Sequence, residues 1–321
     1  MLSEFDLIKQ YFNRPRPGRA ALGIGDDCAL LVPTAGRQIA ISSDMLVEGR
    51  HFFAGADARM LGHKCLAVNL SDLAAMGATP VAFTLALALP TAERAWLAPF
   101  SEGLFALADH YGCELIGGDT TKGPLNICIT VFGETKPGHA LRRDAAQVGD
   151  DVWISGTLGD ARLALAHYWN ALQLNEEQLA LAAPRMHMPS PRVALGMALS
   201  AAPIAHAAID ISDGLAGDIG HILAASAVGA TLNADALPAG HALAGQERAL
   251  QRRFCGAGGD DYELCFTAPA SARDGVLGAA SAAGTRVTRV GRIDAALGLR
   301  WTDAGGAPLS LALDGFDHFV S

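Results

Sequence analysis

The stretch from Gly23 to His51, GIGDDCALLVPTAGRQIAISSDMLVEGRH, restricts the folds open to this chain more than any other. A glycine turn carries Asp26 and Asp27, a β-prone run follows, and Ser42, Ser43 and Asp44 stand where that run ends. Carboxylates and hydroxyls offered from turns and strand ends are hard oxygen donors, the kind that hold Mg²⁺ while leaving coordination positions for phosphate oxygens. Sites of this type are shared among distant loops and the substrate, so the rest of this one has to come from further along the chain.

Four more acidic clusters with glycine neighbours follow: Asn69 and Asp72 in NLSDLAAMG, Asp119 in IGGDTTKG, Asp210, Ser212 and Asp213 in IDISDGL, and Asp260, Asp261 and Glu263 in GGDDYELCF. Singly, Asp26 and Asp27 read as turn residues, Asp72 as a solvated helix position and Asp213 as a helix cap. Jointly they exceed what turns require and favour a metal-phosphate site. Arg142 and Arg143 read either as surface charge or, because guanidinium groups grip phosphate bidentately, as a nucleotide contact. His51 is open in the same way, as a half-buried loop histidine or a phosphate contact.

A length of 321 residues, half of them apolar, leads us to expect two core-bearing domains. Charged residues make up 18 % and the net charge is −9, which argues against nucleic acid or an anionic membrane as a partner. An acidic protein that handles phosphate needs metal ions as intermediaries. The six cysteines show no CxxC spacing and read as buried thiols of a reducing compartment. The amino terminus, MLSEFDLIKQYF, lacks a signal-peptide core, so a cytoplasmic location is expected. The longest apolar stretch, residues 193–209, is broken by Pro203 and His206 and reads as a buried helix followed by a turn. No GxxxxGK[ST], helix-opening GxGxxG or kinase HRD/DFG set occurs, so any ATP site belongs to another architecture.

Periodicity predicts a strand over 38–43, a helix over 57–76 with Asn69 and Asp72 sharing a face, a strand over 81–89 and a helix over 93–111. Residues 114–116 then run into Gly117-Gly118-Asp119, and 125–133 alternate as a strand. A polar, turn-rich segment from Lys136 to Asp151 marks the junction, giving domains 1–140 and 141–321. Beyond it come strands at 151–155, 207–211 and 262–267 and helices at 159–169, 189–200 and 215–228.

In the order GIGDDCALL, SSDMLVEGRHF, AVNLSDLAAMGATP, LIGGDTTKGP, IDISDGLAGDIGHI, GGDDYELCF and GFDHF, the motifs resemble the thiamine-monophosphate kinases, over about residues 4–319. That family lies in the superfamily of aminoimidazole ribonucleotide synthetase, selenophosphate synthetase and the hydrogenase-maturation dehydratase. The resemblance implies an α/β fold of the α+β type in two domains. The first, carrying ATP, Mg²⁺ and dimer contacts, pairs its sheet across a homodimer; the second, a sheet with flanking helices, completes the nucleotide and substrate sites. It also implies transfer of the ATP γ-phosphate to thiamine monophosphate, giving thiamine diphosphate, with several Mg²⁺ ions, in the cytoplasm.

Residue by residue, the resemblance implies metal ligands at Asp27, Ser42, Ser43, Asp44, Asp72, Asp119, Asp210 and Asp213. ATP contacts are implied at Gly118, Asp119, Arg143 and Ser212, and contacts to thiamine monophosphate at His51, Glu263 and Phe316. Ser43 stands where the family often has Thr and keeps the hydroxyl; Phe316 replaces an aromatic with a hydroxyl and keeps only stacking. The acceptor phosphate monoester, with a second pKa of about 6, is largely ionised at neutral pH, so no catalytic acid or base is expected. The rivals are another ATP-using member of the superfamily and a non-catalytic divalent-metal scaffold. Against the first, no reactive Cys sits in a Gly-rich loop near a Lys, and the chain ends DHFVS without a thiol.

Overall fold

The computed structural model describes residues 3–14, 18–202, 204–311 and 313. The chain divides into two compact units, residues 1–73 with 78–138, and residues 139–321 with 74–77.

In the first unit a short helix α1 (Glu4–Leu7) continues as a π turn over Ile8–Phe12, and strands β1 (Ala20–Leu22) and β2 (Leu30–Leu31) pair antiparallel. Then come β3 (Gln38–Val47), α2 (Ala58–Ala75), β4 (Thr79–Leu89), α3 (Arg94–Tyr111), β5 (Glu114–Lys122) and β6 (Asn126–Thr135). The last four strands lie in the order β3-β6-β4-β5. β4 and β5 are parallel, which demands a long crossover, and α3 supplies it. β6 runs antiparallel to both β3 and β4, so β3, β4 and β5 all point the same way.

The alternation of side chains gives this sheet two unlike faces. Leu85, Leu87 and Leu89 of β4 and Ile127, Ile129 and Val131 of β6 are buried on one, where Leu73 of α2 packs against Gly133. The other carries Thr84, Ala86, Cys128 and Thr130 and stays open, with Ile41 and Met45 of β3 62 % and 54 % exposed. Helices α2 and α3 meet backbone to backbone. A Cβ at Gly62 would stand 2.1 Å from the Phe100 carbonyl oxygen, and one at Gly103 only 1.9 Å from that of Arg59.

The second unit opens with β7 (Asp151–Ser155), α4 (Asp160–Tyr168), α5 (Glu176–His187), α6 (Val193–Ala201), β8 (Ala207–Ile211) and α7 (Leu215–Ser226). It continues through β9 (Gly229–Asn233), α8 (Arg248–Ala257), β10 (Glu263–Ala268), α9 (Arg273–Ala282), β11 (Val287–Asp294), β12 (Gly298–Thr302) and β13 (Pro308–Leu309). The seven strands lie in the order β13-β12-β9-β11-β7-β10-β8, antiparallel except for β9 beside β12. Every residue of β7, β8 and β10 is buried, which is why those stretches read as continuous apolar runs rather than alternating ones. The architecture is the two-domain mixed α/β arrangement expected from the motifs.

Several boundaries differ from the sequence reading. β3 runs four residues past Ser43, because Met45 to Val47 go on pairing with β6. β5 runs straight through Gly117-Gly118-Asp119, where a strand end was expected, because those residues pair with Thr84, Leu85 and Ala86 of β4. Helix α5 was not anticipated, although Asn175 and Gln178 form a reciprocal capping box; Pro184 inside it masks the helical signal. All six cysteines are free, but only four are buried: Cys28 is exposed and Cys128 lies on the open face of the first sheet. No helix among the described residues is long and apolar enough to cross a membrane. The α2–α3 contact leads to a stability prediction. Gly62→Ala and Gly103→Ala each lower unfolding stability by about 1–3 kcal/mol in urea titrations, through overpacking against backbone that cannot step aside.

Candidate functional site

In the first unit the site is built on β3 by one face of α2. Asn69 and Asp72, one turn apart on that helix, both reach the strand. Ser42 Oγ donates to Asp72 Oδ2, and the Asp44 N–H donates to Asn69 Oδ1 at 3.1 Å. Asn69 is fully buried and its amide donates to the Cys65 carbonyl at 2.9 Å, so the bracing residue is itself braced. The sequence placed Asn69 and Asp72 on a shared helix face; the structure shows that this face meets Ser42 and Asp44.

The pleat divides the expected metal ligands. Ser42 and Asp44 lie on the helix-covered face with Asp72. Ser43 points to the opposite, open face, where its hydroxyl lies 2.9 Å from Thr130 Oγ1. Asp119 pairs with Ala86 and shares the open face, but on β5 at the far edge of the sheet, three strand spacings or roughly 14 Å from β3. Asp26 accepts from the Asp27 N–H at 2.8 Å, an ordinary Asx contact, and both side chains are exposed. Gly118 is demanded by its surroundings: its φ is +145°, and a Cβ there would stand 1.8 Å from the Leu85 carbonyl oxygen. His51 Nδ1 accepts from the Val47 N–H at 3.0 Å, which assigns the proton of the neutral ring to Nε2.

In the second unit the clusters IDISDG and GGDDY are stitched together. The Asp260 N–H donates to the Ser212 carbonyl and that of Tyr262 to the Ile211 carbonyl, both at 2.8 Å. Asp210, near the end of β8, is buried beside them. The turn between is strained, since Asp260 and Tyr262 adopt φ values of +65° and +50°. Asp218, in the first turn of α7, accepts from the Ser212 and Asp213 N–H groups at 3.1 and 3.2 Å. Burial, and then the charge of Asp213, push its carboxyl up to about 7 against those hydrogen bonds. Sequence reasoning missed Asp218, although an acid in the first turn after Asp213-Gly214 was a usable signal.

Glu263 lies at the start of β10 with no exposed surface. Its carboxylate accepts from Arg185 Nη2, Arg192 Nε and Ser155 Oγ, each at 2.6 Å, and is also bonded by Arg192 Nη2. Two guanidinium groups already match its charge, so it holds two arginines in place. Neither arginine was singled out from the sequence; the usable signal was a Glu inside an apolar strand, which needs a counter-charge. Beside it, Asp261 accepts from the Gly159 N–H at 2.8 Å and burial lifts its carboxyl well above the usual range.

The implied ATP contacts Ser212 and Arg143 are not adjacent. Ser212 is held by Asp218 at the start of α7, whereas the Arg143 carbonyl accepts from Ser226 Oγ at its end, about 12 Å along the helix. Arg142 is engaged by Asp144, and Arg143 is exposed. Phe316 lies outside the described residues.

Among the described residues no three His, Cys, Asp or Glu side chains converge as a preformed metal site. The donor set nonetheless fits Mg²⁺ chemically. Carboxylate and hydroxyl oxygens are paired on rigid elements, as in Ser42 with Asp72, and Mg²⁺ is held by one or two carboxylates with the remaining positions left to water and phosphate.

Residues 25–135 match the AIR synthase related protein N-terminal domain and residues 147–302 its C-terminal domain. The thiamine-monophosphate kinase of Salmonella typhimurium is 45 % identical over 323 residues, spanning 99 % of this chain and 98 % of that one. The crystal structure of the thiamine-monophosphate kinase from Stenotrophomonas maltophilia superposes with a TM-score of 0.84 at 47 % identity, over 91 % of this chain and 92 % of that one. A second solved structure, AaThiL complexed with AMPPCP and TMP, gives 0.76 at 26 % identity, over 98 % and 97 %. With both domain matches in chain order and close to half of all residues shared end to end, the chain belongs to the thiamine-monophosphate kinase family.

Proposed function

We propose that the protein transfers the γ-phosphate of ATP to thiamine monophosphate, forming thiamine diphosphate and ADP in thiamine biosynthesis. The observation that carries this reading is the full-length 45 % identity to a thiamine-monophosphate kinase. The complex of a structural relative with AMPPCP and TMP supports it, since that protein takes an ATP analogue and TMP. The cytoplasm, where ATP is held, is the proposed compartment.

The acceptor oxygen is already ionised at neutral pH, so the residues have to position two anions and offset their repulsion, with no proton to abstract. In this reading Asp27, Ser42, Asp44, Asp72, Asp119, Asp210 and Asp213 hold Mg²⁺, which when bound neutralises phosphate charge. Ser43 joins them with its hydroxyl, from the other face of the sheet. Gly118, Arg143 and Ser212 contact ATP. His51, with its proton on Nε2, can donate to a phosphate oxygen of thiamine monophosphate. Glu263 acts through Arg185 and Arg192, and Phe316 stacks on a ring. The two-unit division fits a first domain serving metal, nucleotide and dimer contacts and a second completing both substrate sites. The homodimer pairs the open face of the first sheet, where Ile41 and Met45 leave apolar surface uncovered.

Incubation with Mg-ATP and thiamine monophosphate yields thiamine diphosphate and ADP in equal amounts, only with divalent metal and with no labelled phosphoprotein in turnover. Absence of product with thiamine monophosphate overturns the reading. Asp72→Asn keeps shape and the Ser42 hydrogen bond but removes a charge; activity falls on the order of a hundredfold with the unfolding midpoint little changed. Ile41→Glu shifts the mass measured by light scattering from dimer to monomer.

A further inference from the structure

Ser42 and Asp44 are braced by α2, whereas the turn that carries Asp26 and Asp27 is the tip of the β1–β2 hairpin and stands away from that brace. A Cβ built at Gly23 or at Gly25 meets no atom within 4 Å among the described residues. The hairpin above this tip is slight: Ala20 pairs with Leu31 and Leu22 with Leu30. A two-stranded ribbon of that length is marginal by itself in water. Small side chains cover its inner side, where Ala20, Ala29 and Leu31 pack on Val81, Ala82 and Ile116, while Leu22, Leu30 and Val32 are exposed.

The hairpin is held at its base. Glu134, near the end of β6 and 5 % exposed, accepts through Oε1 from Arg19 Nη2 at 2.6 Å and from the Thr34 N–H at 2.7 Å. Arg19 precedes β1 and Thr34 follows β2, so one carboxylate oxygen ties both ends of the excursion over residues 20–33. Arg19 Nη2 closes the triangle by donating to Thr34 Oγ1 at 2.9 Å. On the other flank Glu114, which opens β5, accepts through Oε2 from the N–H groups of Arg19 and Ala20 at 2.9 and 3.2 Å. A Cβ at Gly18 would stand 1.9 Å from that oxygen, so the chain passes Glu114 this closely as glycine. Burial works to raise the Glu134 carboxyl, and the hydrogen bonds from Thr34 and Arg19 outweigh it, holding the carboxyl below its usual range.

We propose that Arg19, Glu114 and Glu134 form a clamp that positions the Asp26–Asp27 turn for a divalent cation, the three acting through Asp27 as positioning residues.

Three physical points carry the assignment. The first is chain entropy: a loop tied at both ends has less freedom to lose, so a ligand at its tip is ordered before the cation arrives and binding need not meet that cost. The second is direction. The apolar contacts of Ala20 and Ala29 fix distance but tolerate sliding, whereas charge-assisted hydrogen bonds at 2.6 and 2.7 Å fix orientation as well. The third is where the clamp is rooted. Glu134 and Glu114 lie on strands of the sheet that also carries Ser42 and Asp44, so the clamp sets the tip in the frame of the other proposed oxygen donors.

This inference rests on the reading of Asp27 as a metal ligand, and metal binding measured without turnover separates the two. Mn²⁺, which takes the same hard oxygen ligands as Mg²⁺, is titrated into the full chain with AMPPCP present and followed by electron paramagnetic resonance. Glu134→Ala weakens Mn²⁺ about tenfold, and Glu134→Gln, which keeps an oxygen for the Thr34 N–H, weakens it less. Arg19→Ala repeats the loss from a side chain that is 42 % exposed, so no buried group is removed. In these variants hydrogen exchange quickens over residues 19–34 and stays as in the wild type over β4, a local signature that general destabilisation would not give. Asp27→Asn is the reference and weakens Mn²⁺ at least as much. A reference variant that binds Mn²⁺ as tightly as the wild type overturns the ligand reading and the clamp with it. A weakened reference beside unchanged Glu134→Ala and Arg19→Ala overturns the clamp alone and leaves Asp27 a ligand. Exchange that quickens throughout the chain in both clamp variants overturns the clamp as well, because the lost affinity then follows from global instability.

Discussion

The grip of α2 on β3 is the contact on which the first unit's arrangement of oxygen donors depends. Asn69 and Asp72 meet the strand through a backbone N–H and a hydroxyl, the two groups that fix where Ser42 and Asp44 stand. Those bonds form only if the helix comes close, and it comes close because α2 lies against the sheet at Gly133 and against α3 at Gly62 and Gly103. Side chains absent from three positions thus help determine where Ser42 and Asp44 sit. A buried amide such as Asn69 is costly unless satisfied, and here both its ends are used. That satisfaction makes the strand position rigid rather than merely favourable.

The second unit solves a different electrostatic problem. Glu263 is a full charge with no access to water, and such a group is tolerated only with partners on every side. Arg185, Arg192 and Ser155 provide them, drawing α5, the start of α6 and β7 onto β10. The same region holds Asp261 and Asp218, whose carboxyls are lifted by burial. The strained turn at Asp260 and Tyr262 joins this network to the Ile211–Ser212 loop. Strain of this kind persists only when surrounding bonds over-determine it, and two backbone hydrogen bonds do so here.

The proposed reaction needs no acid–base pair, because its acceptor oxygen is already ionised at neutral pH. Its demands are placement and neutralisation, which rigid hydroxyl–carboxylate pairs and guanidinium groups serve well.

Local patterns were enough to place most strands and helices and to single out the acidic clusters. Periodicity, turn residues and hard-oxygen chemistry act over a few residues, so β7 and β8 were legible to the residue and α2 to within one at each end. The pairing of helix face with strand was half legible, since Asn69 and Asp72 announced a shared face but not its partner. Only the tertiary structure decided that Ser43 looks away from Ser42 and Asp44, because face is set by the pleat and by which side the helix covers. It alone decided that Asp119 sits inside a strand at the far edge of the sheet, since pairing with β4 overrode two glycines. And it alone revealed that Glu263 is neutralised by arginines 71 and 78 residues away along the chain, because a counter-charge is found in space and leaves no mark at a fixed spacing in sequence.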